Sequence, residues 1–221
     1  MKYVVANWKM NMDMSAVTRW LSDFTSEYKP SDSISVVIAP SFVHIPYVFL
    51  EVGDTPATFI GGQDTSLEQK GSHTGEVSAS QLKDYCKYCI VGHSERKENP
   101  SVVAQKIDRL LDVGLIPIVC FISPEQASGY YKKGVILVWE DPANISKDGV
   151  YNEKPVEIIE KQITKIRKSL PEEAVLLYGG SVNKTNIASL SSMGGLSGVL
   201  AGHASLDPAH FLELIKSYEI H

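Results

Sequence analysis

The run Gly92-His93-Ser94-Glu95-Arg96-Lys97 sets an imidazole, a hydroxyl, a carboxylate and two cations side by side, directly after the apolar residues Cys89-Ile90-Val91. A short apolar run that ends in glycine reads as a buried strand and the turn leaving it. Such a cluster would burden a core, and at the C-terminal mouth of a strand it is equipment for chemistry. Its plain alternative is a solvated turn with a serine cap. Other apolar runs end in the same manner. Tyr3-Val4-Val5-Ala6 leads to Asn7 and Lys9, and Val135-Ile136-Leu137-Val138-Trp139 leads to Glu140. Ala174 to Tyr178 leads to Gly179-Gly180-Ser181, and Gly198 to Ala201 leads to Gly202.

The elements that must position these residues alternate along the chain. Strands are expected at 3–6, 33–40, 58–64, 89–91, 115–121, 135–139, 174–178 and 198–201. Between them lie stretches of helical periodicity. Val17, Trp20, Leu21 and Phe24 recur within 13–28, and Val103, Ile107, Leu110 and Leu111 within 100–112. Val156, Ile159, Ile163 and Ile166 recur within 153–170, whereas 123–133 leaves room for only a short helix. The strand cores are continuous apolar runs, as in parallel strands buried on both faces. Eight strand–helix units in one chain predict an α/β fold, a (β/α)8 barrel in a single domain over residues 1–221. In such a barrel every strand exit meets at one face, so Asn7, Lys9, His93, Glu95, Glu140, Ser181 and Gly202 converge there although they are far apart in sequence.

Composition bounds the partners. The 221 residues are 43% hydrophobic and 21% charged, with a net charge of -5. Nothing here favours nucleic acid or an anionic membrane surface, and an anionic small substrate would need local cations. No apolar run approaches a membrane span, and Met1-Lys2 enters the first strand without a signal pattern. Three cysteines, Cys86, Cys89 and Cys120, suit reduced thiols and a cytoplasmic location. The C-x-x-C spacing of the first two lacks both a helix N-terminus for a redox thiol and a second pair for zinc.

Five segments together resemble the triosephosphate isomerase family: Asn7-Trp8-Lys9-Met10-Asn11, Gly71-Ser72-His73-Thr74-Gly75-Glu76, Gly92 to Arg96, Tyr178-Gly179-Gly180-Ser181-Val182 and Gly202-His203-Ala204-Ser205-Leu206. They stand in the family's order and at the corresponding strand exits. The resemblance implies interconversion of glyceraldehyde 3-phosphate and dihydroxyacetone phosphate through an enediolate, with no cofactor and no metal. It implies Glu140 as the base, with its acidity tuned toward the working pH by a dry site. It implies His93 as a neutral electrophile facing a helix N-terminus, a role for which this family is itself a standard example. Lys9 would stabilise the oxyanion, Asn7 would position Lys9, and Glu95 would orient Lys9 and the histidine loop. Phosphate would be held by backbone N–H groups of Ser181, beside Gly180, of Gly202 and His203, and of Ser146 in the lid. Glu76 would brace the third loop, and Thr74 at the tip of loop 65–76 would reach a second copy in a homodimer.

The sequence departs from the family pattern mainly in that lid. Glu140 is followed by Asp141-Pro142-Ala143-Asn144-Ile145-Ser146-Lys147-Asp148-Gly149, with the hinge proline displaced, the hinge tryptophan gone and a second carboxylate beside the base. Ile145 keeps an apolar residue to cover the base. His203 replaces a glycine and would be strained at positive φ. The aromatic-Gly-Glu usual after the histidine loop gives way to Glu98-Asn99-Pro100. The alternative reading is a non-enzymatic barrel that binds sugar phosphates and turns over slowly or not at all because its lid is impaired.

Overall fold

The computed structural model describes residues 1–144 and 150–219. Among them, eight parallel strands close a barrel in sequence order: β1 (Lys2–Asn7), β2 (Ile34–Ala39), β3 (Thr58–Gly62), β4 (Tyr88–Val91), β5 (Ile116–Phe121), β6 (Ile136–Trp139), β7 (Val175–Tyr178) and β8 (Gly198–Ala201). Closure is made by β1, where Val4 is in register with Val36 of β2 and with Val199 of β8. The expected (β/α)8 barrel is the fold observed. Alternate strand residues face opposite ways. Val5, Val37, Ile90, Val138 and Leu200 fill the barrel, while Val4, Val36, Val91 and Val199 pack outward against the helices.

The helices follow from caps and apolar stripes. Helix α1 (Met14–Glu27) starts because the Asp13 carboxylate accepts the Ala16 N–H at 2.8 Å, and it buries Val17, Trp20, Leu21 and Phe24. Each such buried side chain stabilises the fold by roughly 1.5–3 kcal/mol. The remaining helices are α2 (Ile45–Val52), α3 (Ala79–Leu82), α4 (Pro100–Asp112), α5 (Pro124–Tyr130), α6 (Val156–Arg167), α7 (Ile187–Ser192) and α8 (Pro208–Glu219). Helix α4 spans the expected 100–112, with Asn99 as its cap and Pro100 in its first turn. Helix α6 begins three residues later than its periodicity suggests, because Glu153 and Lys154 have partners elsewhere and Pro155 takes the cap position. Helix α3 is a single turn held by a capping box between Ser78 and Gln81. No helix among the described residues is long and apolar enough to cross a membrane.

Candidate active site

The strand exits meet at one face, and Lys9, His93, Glu140, Ser181, Gly202 and His203 line one cleft there. Glu140 is fully buried, its N–H on the Phe121 carbonyl at 2.8 Å. One carboxylate oxygen, Oε2, accepts the Ser94 N–H at 3.0 Å. The other, Oε1, stands 3.1 Å from His93 Nε2. Burial pushes this carboxyl up, but His93 and the Ser94 N–H together outweigh burial and hold it below the usual glutamate range. The sequence reading expected an upward shift from a dry apolar site. In the free protein the carboxylate is instead anchored by groups that favour its charge.

His93 is buried and its tautomer follows from one hydrogen bond. Nδ1 accepts the Glu95 N–H at 3.2 Å, so Nδ1 carries no proton and a neutral ring holds its proton on Nε2, toward Glu140. The expected helix N-terminus is absent from this position. Residues 94–96 form a turn and α4 begins only at Pro100, so a single backbone N–H performs the orientation. Glu95 Oε1 binds Lys9 Nζ at 2.5 Å, while its Oε2 lies 3.6 Å from Nδ1, beyond hydrogen-bond range.

Lys9 has φ of +51°, a conformation that costs about 1–3 kcal/mol in a non-glycine residue. Three side chains hold it there. Asn7 Oδ1 accepts the Lys9 N–H at 3.0 Å, Ser41 Oγ donates to the Lys9 carbonyl at 3.0 Å, and Gln63 Nε2 donates to the same carbonyl at 2.9 Å. Gln63 Nε2 also reaches the Ala39 carbonyl at 2.9 Å, which ties Lys9 to the ends of β2 and β3. The sequence reading assigned Asn7 but neither Ser41 nor Gln63. Their only signal was polarity just past a strand end.

At the exit of β8, the strand next to β1, Gly202 lies close to Lys9, and a Cβ there would stand 3.1 Å from Lys9 Cε. His203 begins a 3-10 turn and does not have positive φ, so the strain expected of it is absent. Its exposed ring packs edge-on against Tyr151, with centroids 5.6 Å apart. Ser181 is buried with φ of +34°. Gly180 is buried behind it against the Tyr178 hydroxyl, and Gly179 lines the cleft instead. Thr74 is exposed at the tip of its loop, and Glu76 is exposed and makes no side-chain contact that would brace that loop among the described residues. Ile145 and Ser146 lie outside the described residues. Among the described residues, no group of three or more His, Cys, Asp or Glu side chains is arranged to hold a metal ion.

At Gly179 there is no room for a side chain. A Cβ there would stand 2.8 Å from Val138 Cγ1 and 3.0 Å from Glu140 Cγ. Gly179→Ala is expected to leave far-UV circular dichroism unchanged and to lower kcat/KM about 10–100-fold, because displacement of a reacting group by an ångström has effects of that order. A native kcat/KM in the variant would show that the Glu140 position tolerates the intrusion.

Comparison with known proteins adds the family. The model of the family described as "Triosephosphate isomerase" matches residues 2–138 and 131–218. The chain belongs to the triosephosphate isomerase family. A triosephosphate isomerase of Thermus thermophilus is 34% identical over 247 residues, covering 96% of this chain and 97% of the relative. That of Legionella pneumophila (strain Paris) is 32% identical over 244 residues, covering 97% and 98%. That of Vibrio sp. (strain ANT-300) is 32% identical over 243 residues, covering 96% of each. Family membership supports an isomerase acting on a triose phosphate.

Proposed function

We propose that this protein interconverts D-glyceraldehyde 3-phosphate and dihydroxyacetone phosphate. The observation that carries the proposal is the placement of His93, whose Nδ1 is taken by the Glu95 N–H and whose Nε2 lies in the cleft 3.1 Å from a buried carboxylate oxygen. Glu140 takes the carbon-bound proton, which leaves an enediolate from either substrate, and then gives it to the neighbouring carbon, while the hydroxyl proton passes from one oxygen to the other by way of His93. His93 Nε2–H polarises the carbonyl and Lys9 balances the oxyanion, with Asn7 and Glu95 fixing Lys9 in place. The backbone beside Ser181, Gly202 and His203 receives the phosphate. All of this is proton transfer within one substrate, so the reaction as written needs no cofactor. The test is a coupled assay of isomerisation with purified protein, run in deuterated water. Turnover with solvent deuterium on the product carbon is expected. Binding of dihydroxyacetone phosphate without turnover would instead support the binding-only reading.

A cytoplasmic location and a homodimer are part of the proposal. Cys86, Cys89 and Cys120 are buried free thiols, which suits a reducing compartment. Loop 65–76 projects an exposed tip containing Thr74, with Gly71 and Gly75 both at positive φ. Met10 is 95% and Val43 is 77% exposed, apolar surface that a second copy could cover. Light scattering at micromolar concentration is expected to give twice the 24.3 kDa chain mass, and Thr74→Arg to shift it toward the single chain. A single-chain mass for the native protein would remove the dimer from the proposal.

A further inference from the structure

Glu140 is followed by a connection whose two ends are tied to each other. Asp141 Oδ1 accepts the Ala143 N–H at 3.0 Å and the Asp141 carbonyl accepts the Asn144 N–H at 2.8 Å, which winds Pro142–Asn144 into a 3-10 turn. The other carboxylate oxygen, Oδ2, pairs with Lys154 Nζ, 13 positions further along the chain. Asn144 Nδ2 donates to the Asn152 carbonyl at 2.9 Å, and Asn152 Nδ2 donates back to the Ala143 carbonyl. Ser181 completes the frame from the β7 exit. Its Oγ donates to the Asn144 carbonyl and accepts the Asn152 N–H at 3.1 Å. The ion pair is more sheltered than a typical surface pair, with side chains 25% and 18% exposed, and Lys154 Nζ lies 5.7 Å above the Trp139 ring.

We propose that the Asp141–Lys154 pair is a strap that presets both ends of the β6–α6 connection before substrate arrives, which makes the two side chains positioning residues for Glu140. The proposal rests on the reading of Glu140 as the base. Asp141 shares a peptide bond with Glu140, so the backbone fixed by the strap is the backbone from which the base projects. A frame already ordered in the free protein reduces the ordering that substrate binding must supply. Loss of the strap burdens the bound ground state and the transition state equally, and so raises KM while kcat stays. The second carboxylate beside the base, foreign to the family pattern, thereby has a use. It also supplies a charge on the N-terminal side where the hinge tryptophan is missing.

The test compares Lys154→Met, Lys154→Arg and Asp141→Asn, the last of which keeps the acceptor for the Ala143 N–H. Steady-state kinetics are read together with hydrogen exchange in the free protein over peptides spanning 141–144 and 150–154. Lys154→Met and Asp141→Asn are each expected to raise KM about 5–10-fold with kcat within about twofold, and to speed exchange in both peptides. The double variant is expected to be no worse than either single one, and Lys154→Arg to stay within about twofold of native throughout. Unchanged exchange in Lys154→Met would overturn the strap. So would an arginine variant as impaired as the methionine variant, or a fall in kcat at constant KM. If the native protein has no isomerase turnover, the assignment of Glu140 fails, and the exchange rates with their rescue by arginine still decide whether the strap exists.

Discussion

Glu140→Gln is expected to reduce the isomerase kcat about 10³-fold while KM moves only a few-fold, because positioned general bases contribute on the order of 10²–10⁴. Glutamine fills the same volume and can still accept the Ser94 N–H that now meets Oε2 at 3.0 Å, so the loss isolates proton transfer from packing. The same substitution reports on the ionisation of the buried carboxylate. Its folded value is lowered, so below about 4.3, the ordinary glutamate value, the unfolded chain takes up this proton before the folded protein does. Glu140 therefore contributes stability that is fully present above that pH and is lost as pH falls through the folded value. Thermal unfolding followed from pH 5 downward should show a steeper decline in the native protein than in Glu140→Gln. A kcat within tenfold of native would remove Glu140 from the base role. Parallel pH profiles would mean that His93 and the Ser94 N–H do not lower the carboxyl.

The sequence made the strands legible because both faces of each are buried, which leaves runs such as Val36-Val37-Ile38 uninterrupted by polar residues. It made the site legible for the same reason. A polar residue that breaks the pattern at a strand exit, such as Glu140 or His93, stands out against an apolar run. What could not be read is the set of residues that act through geometry in space. Ser41 and Gln63 look like ordinary loop polarity, and only the closed barrel shows both on the Lys9 carbonyl. Gly179 matched the family motif, yet the reading placed Gly180 in the site, because one residue of register at the β7 exit decides which glycine faces the cleft. The expected direction for Glu140 failed on a different point. Burial was foreseen, but the hydrogen bond from Ser94 depends on the angle of the turn after β4, which no spacing rule fixes. Glu98 seemed part of an altered connection, and in the fold it is a partly buried partner of Lys106.

That partnership gives the largest expected effect on stability. Lys106 Nζ, on the buried face of α4, binds Asp64 at 2.7 Å and 2.9 Å and Glu98 at 2.5 Å. Arg96 adds a contact to Asp64 at 2.7 Å, but half of its side chain is in solvent. Burial is the largest influence on Asp64 and raises it in spite of the cations beside it, so the cluster is already at the edge of what its charges can offset. Lys106→Met keeps the aliphatic volume and leaves two sheltered carboxylates facing each other. Removing one partner from a buried ion pair costs about 3–5 kcal/mol. For a chain of this size that is a fall in Tm of roughly 6–20 °C. Because Asp64 directly follows Gln63, which holds the Lys9 carbonyl, kcat/KM should fall in the same variant at temperatures where it remains folded. Thermal unfolding and kinetics at 15 °C separate the two effects. A Tm within about 2 °C of native would show that the cluster absorbs the loss, by water entering beside Asp64 and Glu98 or by one of the two carboxylates taking up a proton. The companion variant Glu98→Gln then discriminates further. It should restore part of the stability lost in Lys106→Met, because it removes one of the two opposed charges, whereas alone it should destabilise by breaking the pair with Lys106.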